Sequence, residues 1–431
     1  MQGNPPTMAN RRLARQDHEW INRDRPIRFR FEGRAYQGFG GDTLSSALWA
    51  NGVRMLGRSF KYHRPRGIFS CAGHDANVIV EDRLRTNLRG DTLAIADDLD
   101  VWAVNTRGGL QHDQLAITER FSALMPVGFY YKAFHTPARL FPWYERMLRK
   151  VAGLGQIRPS QTADPTPKRY DFCDLLIVGA GPAGLAAAIS AAQHGVQTVV
   201  VDEQLRAGGS LAYQWNSEPE AAAQLTNLLT QAAALANLEI RSSTQAGGYY
   251  DDHYIALIDE KRLTKMRARA VIVATGCFEQ PAVFGNNDLP GVMLGSAAQR
   301  LIRLFAIKPF ERAAVLAANC DGYRLALDLL DAGVEVPVVV DLRPDGEPGE
   351  LAQRVADQGI AVYRGYTIYE ALPSRSARAK RGITGATLCR LDRQGRSGAS
   401  PSLRVDCDGL VMSVGWAPAG GLLYQAGGRF K

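Results

Sequence analysis

The chain has 431 residues, 46% of them hydrophobic and 22% charged, with a formal net charge of +8 and a pI near 9.2. That length allows two or three domains with sizeable cores and excludes large-scale disorder; Lys and Arg are dispersed outside any recognisable nucleic-acid module, so the charge points to an acidic partner or an anionic cofactor. Six cysteines, at 71, 173, 277, 320, 389 and 407, include no CxxC pair, which excludes a vicinal redox disulfide and argues against a disulfide framework or a thiolate metal site.

The opening residues, MQGNPPTMANRRLARQ, hold no apolar signal core, and no apolar run reaches the length of a membrane span. A cytoplasmic protein is expected, with residues 1–24 as a flexible tail. Residues 25–100 read as a small β-rich domain. Ile27, Phe29 and Phe31 alternate with Arg28, Arg30 and Glu32 in a period-2 strand, and Gly33-Arg34 turns the chain into a second one. Gly41-Asp42-Thr43 then caps a helix from Leu44 to Asn51, closed by Gly52. Strand, strand, helix is how a ferredoxin-like β-grasp fold begins. Cys71 is the single thiol of this stretch, and one thiolate cannot hold a two-iron cluster, so none is expected.

Arg58, Lys61, Tyr62, His63, Arg64 and Arg66 crowd into one loop. One reading is a solvated loop that pairs with local acids. The other is a loop that faces a phosphate or a partner subunit, because guanidinium forks suit phosphate oxygens and aromatic rings suit a flat ring system. His63 has no metal-ligand companion and is assigned neither as a ligand nor as a base. Residues 101–168 form a connector whose seven aromatics from Phe129 to Tyr144 are too many for a loose linker; packing against the next domain or a second chain is expected. Pro159 to Lys168 has linker composition.

Residues 169–310 and 405–431 are expected to form a first dinucleotide-binding domain. An apolar strand, Leu175 to Val178, runs into Gly179-x-Gly181-x-x-Gly184, an Ala-rich helix and a second strand, Thr198 to Val201, ending in Asp202-Glu203. Gly179 allows the sharp turn, Gly181 lets the backbone approach a pyrophosphate, and Gly184 lets helix and sheet pack closely. The helix N-terminus, with Pro182 and Ala183, offers free N–H groups to the phosphates. Asp202 is placed to accept from a ribose hydroxyl, with Glu203 as the fallback. The bland alternative is a βαβ packing unit whose site has decayed. Residues 311–404 repeat the pattern, but the loop Ala317-Ala318-Asn319-Cys320-Asp321-Gly322 places Cβ atoms where glycines belong and a carboxylate where a phosphate would sit, so no nicotinamide nucleotide is expected there. Gly409 to Gly415, followed by Trp416-Ala417-Pro418, is expected to return to the first domain.

The run GDTLSSALWANGVRMLGRSFKYHRPRGIFSCAGHDANVIVE and the connector segments MPVGFYYK, PWYE and AGLG resemble the alpha subunit of heterotetrameric sarcosine oxidase and its opine-, proline- and glycine-oxidising relatives. Gly208-Gly209 and the strand Ala270 to Val273 ending in Ala274-Thr275-Gly276 resemble two-dinucleotide-domain flavoproteins. The resemblance implies an α/β flavoprotein-like pair of Rossmann units behind a clusterless ferredoxin-like domain, in a short form without the family's folate-binding half or the closing Gly-Asp segment. It implies NAD, or another adenine dinucleotide such as FAD, at the first site, contacted by Gly179, Gly181, Pro182, Ala183, Gly184, Asp202, Glu203, Gly209, Thr275 and Gly276. FMN is implied at a subunit interface, where Arg58 to Arg66 are candidates for the interface or flavin phosphate, and FAD on a beta subunit that oxidises the amine; small gamma and delta subunits complete such complexes. No residue of this chain stands out as acid, base, nucleophile or metal ligand. A free-standing FAD-dependent oxidoreductase, a non-catalytic assembly scaffold, and the subunit of a proline, opine or cyanide-forming glycine complex remain open.

Overall fold

A computed structural model describes residues 11–124, 137–151, 166–214, 220–344, 349–374, 382–398 and 400–429. The N-terminal unit is a five-stranded sheet in the order Arg34–Gly40, Asn22–Phe31, Asp100–Ala103, Ile79–Glu81, Leu88–Arg89. Alternation works as read: Ile27, Phe29 and Phe31 are buried while Arg28 and Arg30 are exposed. The helix Leu44–Ala50 starts at Thr43, whose hydroxyl accepts from Ser46 N while Ser46 Oγ accepts from Thr43 N, a capping box that satisfies two otherwise free donors. Every residue of this helix is buried, because one side faces its own sheet and the other faces Phe310 of the C-terminal unit.

The stretch before the first strand is not a tail over its described part. Arg12 pairs with Asp42 at 2.5 Å, Leu13 N and Trp20 N donate to Ala306 O and Leu304 O, and Trp20 is 7% exposed. Backbone donors that close onto the segment after Gly295–Arg303 hold this arm down. The sheet also uses Asp100–Ala103, which reaches past residue 100 into the expected connector. Of the connector's aromatics, Phe129, Tyr130, Tyr131 and Phe134 lie outside the described residues. Trp143 meets Tyr144 edge to face and is itself 59% exposed, so among the described residues it packs on no core.

The second sheet runs Leu238–Arg241, Thr198–Val201, Lys168–Val178, Leu263–Val273, Tyr254–Ile258, Gln245–Tyr250, the first four parallel and the last two antiparallel. The third is a parallel sheet ordered Val292–Leu294, Gly409–Ser413, Ala313–Ala317, Val338–Asp341, Ala361–Arg364. Gly409–Ser413 therefore does not return to the first dinucleotide unit; all five of its residues are buried in the middle of the third sheet. Burial on both faces demands a continuous apolar run there, and Gly409 leaves room for the Phe310 ring, with which a Cβ would collide. Val292–Leu294 and the helix Gly295–Arg303 belong with this sheet too, so the division expected at residue 311 lies earlier in the chain. Trp416–Pro418 instead pairs with Cys277–Glu279, a two-stranded link between the two units.

Candidate nucleotide-binding site

The strand Lys168–Val178 delivers the chain to Gly179, whose φ of +107° suits only glycine and whose missing Cβ avoids Ala274 O. Gly184 lies directly under Gly179 O, which a Cβ would strike, so this glycine sets the contact between helix and turn and does not border the cavity. Gly181 is different. It precedes the helix Pro182–Gln193 with φ −76° and ψ −176°, a conformation open to any residue, and the nearest protein atom to a Cβ there would be 3.8 Å away. The fold accounts for Gly179 and Gly184; only something in front of the loop accounts for Gly181.

What lies in front is a cavity of about 730 Å³, within the size range of small-molecule and cofactor sites. Gly179, Gly181, Pro182, Ala183, Gly209, Thr275 and Gly276 all line it. Gly208 N donates to Ala180 O at 2.8 Å, which ties the second glycine pair to the first loop. The free N–H groups of the helix start thus face a cavity of dinucleotide dimensions.

The two acids at the end of Thr198–Val201 both border the cavity but differ in their partners. Asp202 Oδ2 accepts from Ala180 N at 2.7 Å and Oδ1 from Gln204 N at 2.8 Å, so its carboxylate braces the glycine turn at the edge of the cavity. Burial pushes its pKa up despite these two bonds. Glu203 borders the cavity with no such backbone donors; burial raises its pKa as well, offset by Arg89. Spacing along a strand end does not choose between two adjacent acids, whose side chains point in different directions.

Residues far away in sequence complete the walls. Trp20, Ala72 and His74 come from the N-terminal unit, Gln245 from the antiparallel strands, and Arg300 and Trp416 from the C-terminal unit. His74 lies against Phe278 with ring centroids 4.6 Å apart and planes tilted by 47°, and burial lowers its pKa. Arg300 donates to Ser70 O and to the Tyr213 hydroxyl and lies over the Tyr213 ring at 4.5 Å. No spacing in the sequence joins these residues to the glycine loop; docking of the units does.

The cations of the 58–66 loop are turned inward. Arg58 donates to Leu110 O and His63 O, His63 is fully buried with Nδ1 2.7 Å from Asp113, Arg64 reaches Asp288 and Asn286, and Arg66 pairs with Asp288 at 2.5 Å. Lys61 lies over the Tyr62 ring. Three guanidiniums of the loop are thus held on intrachain acceptors. In the C-terminal unit Asp321 accepts from Trp416 Nε1 at 2.9 Å and pairs with Arg324, filling the loop that corresponds to Gly179–Gly184. Among the described residues no cluster of three or more His, Cys, Asp or Glu could hold a metal, and no helix is long and apolar enough to cross a membrane.

Residues 24–106 match the family described as a 2Fe-2S iron-sulfur cluster binding domain, and residues 173–430 match the pyridine nucleotide-disulphide oxidoreductases. Cys71, the one cysteine of residues 24–106, is 3% exposed with its thiol pushed well up by burial, so the four thiolates of such a cluster have no counterpart here. The sarcosine oxidase subunit alpha of Rhizobium meliloti (strain 1021) is 36% identical over 75% of this chain, and that of Corynebacterium sp. (strain U-96) is 28% identical over 95%. The chain spans only 35% and 39% of those two relatives. Among solved structures, the L-proline dehydrogenase from P. horikoshii superposes with a TM-score of 0.63 at 17% identity, covering 98% of this chain and 66% of that one, which establishes a shared fold.

Proposed function

Since the chain belongs to the pyridine nucleotide-disulphide oxidoreductase family and is homologous to sarcosine oxidase alpha subunits, we propose that it is the alpha-type subunit of a multimeric, flavin-dependent sarcosine or secondary-amine oxidase. In this reading the Gly179–Gly184 site holds an adenine dinucleotide, NAD foremost, in a structural role. The amine is oxidised at FAD on a beta subunit in the cytoplasm, with FMN at the interface and small gamma and delta subunits alongside. The ferredoxin-like domain carries no cluster, and the C-terminal unit, from about the Cys277–Glu279 link to Gly409–Ser413, carries no nucleotide.

The observation that carries the site is Gly181. Neither its backbone angles nor its protein neighbours require glycine, whereas a pyrophosphate approaching the helix start would. The chain's own residues then divide the work. Backbone N–H groups after Gly181 bind phosphate, Asp202 fixes the turn that aims them, and Glu203 accepts from ribose. A bound flavin or nicotinamide would bring two-electron chemistry, which the side chains themselves do not supply.

Mass spectrometry of small molecules released on denaturing the purified chain tests this directly. NAD or a bare adenylate supports a structural site; FAD favours a free-standing FAD-dependent oxidoreductase; no nucleotide overturns the assignment. Gly181→Val should fold normally, because its side chain enters the cavity and not the core, and should lose the nucleotide entirely. Stoichiometric nucleotide in that variant would refute the site.

A further inference from the structure

The loop that precedes the Asp75 turn in the N-terminal unit lies against the acid end of the strand Thr198–Val201. A Cβ at Gly73 would come within 2.7 Å of Glu203 Cδ and of both its carboxylate oxygens, so the backbone of residue 73 forms a flat plate under that carboxylate. Arg89, also from the N-terminal unit, closes the ring. Its Nη1 donates to Gly73 O, its Nη2 donates to Gln245 Oε1 at 3.3 Å, and Nη1 lies 3.9 Å from Glu203 Oε2. Glu203, Gln245 and the neighbouring Ala72 and His74 all border the cavity. The unit that matches an iron-sulfur domain thus supplies one wall of the nucleotide cavity.

We propose that Gly73 and Arg89 are positioning residues of the nucleotide site: they hold Glu203 where it accepts from the adenosine ribose hydroxyls, and they make the site select a free 2′-hydroxyl over a 2′-phosphate. The inference rests on the dinucleotide reading given above. A carboxylate fixed at the ribose accepts two hydroxyl bonds and repels a phosphate. Arg89, whose Nη1 lies 3.9 Å from Glu203 Oε2, joins Arg206 and Arg300 of the cavity lining as a guanidinium that could receive a 2′-phosphate, and Glu203 and Gly73 O keep it engaged. Removing Glu203 deletes the repelling carboxylate and leaves the Arg89 cation, still bonded to Gly73 O and Gln245 Oε1, beside the vacated position.

The probes are 5′-AMP and adenosine 2′,5′-bisphosphate, which share the adenosine half of NAD and FAD, titrated into the full chain after its nucleotide has been stripped. Arg89→Met should bind 5′-AMP about tenfold more weakly, the loss of one charge-assisted contact, with Arg89→Lys recovering part of it. Gly73→Ala, which leaves Arg89 in place, should weaken 5′-AMP similarly by displacing Glu203. Glu203→Ala should shift the preference toward the bisphosphate by about tenfold or more, and Glu203→Ala combined with Arg89→Met should abolish that shift. A merely structural Arg89 would not alter the ratio between the two probes. If Arg89→Met and Gly73→Ala bind 5′-AMP within twofold of the parent while Gly181→Val loses it, the inference is wrong and the site stands. If Gly181→Val also binds 5′-AMP unchanged, the site assignment itself fails.

Discussion

Asp91 is 4% exposed in the N-terminal unit, beside Asp75 and Ser45. Burial first, and then the Asp75 charge, push its carboxyl well above the ordinary range. A carboxyl raised in the folded state stabilises the fold fully below its unfolded pKa of about 3.9, and that contribution is lost as pH rises through the folded value, by up to about 1.4 kcal/mol per pH unit. Asp91→Asn cannot ionise and escapes the loss. Urea denaturation should find the variant more stable than the parent at pH 8, with the gap closing toward pH 5; a gap independent of pH would remove Asp91 from the account. Single residues also mark how far sequence reading reaches. Gly179 and Gly184 were legible because a tight turn and a close helix leave no other choice. Asp202 and Glu203 were legible as a pair but not in their partners, because only the fold shows that Ala180 N and Gln204 N donate to the first of them.

At the scale of elements, the helix Leu44–Ala50 joins the N-terminal sheet to the C-terminal unit. Trp49 is fully buried, meets Phe310 edge to face at 5.9 Å, and donates from Nε1 to Pro309 O at 3.0 Å. Trp49→Ala should cost about 3–5 kcal/mol and, since the lost contacts span two units, should expose the N-terminal unit to limited proteolysis before the rest. Uniform digestion of the whole chain would deny the helix this joining role. The period-2 strand and the capped helix were visible from alternation and from Gly41-Asp42-Thr43 at the helix start. The 58–66 loop was not, since its acceptors Asp113 and Asp288 lie far along the chain, and no local pattern shows that three guanidiniums will be turned inward. The same holds for Gly409–Ser413: an apolar run announces a buried strand but not which sheet receives it.

In the whole molecule, three units meet around one cavity, with Trp20 and His74 from the first, the glycine loop from the second, and Arg300 and Trp416 from the third. A ligand held there should stabilise all three together. At a hundredfold excess over its Kd it would add about 2.7 kcal/mol, so differential scanning calorimetry should show one transition moving up with added nucleotide. A shift confined to one of several transitions would mean that the N-terminal and C-terminal walls do not contribute. The placing of Gly409–Ser413 carries a consequence for how such a chain is made. Val292–Leu294 and Ala313–Ala317 leave the ribosome long before the strand that pairs with both of them. Until it arrives, two apolar strand edges stand open, a condition that invites pairing with other chains. A released chain truncated short of residue 409 should therefore depend on chaperones, whereas one truncated just after Trp416–Pro418 should not.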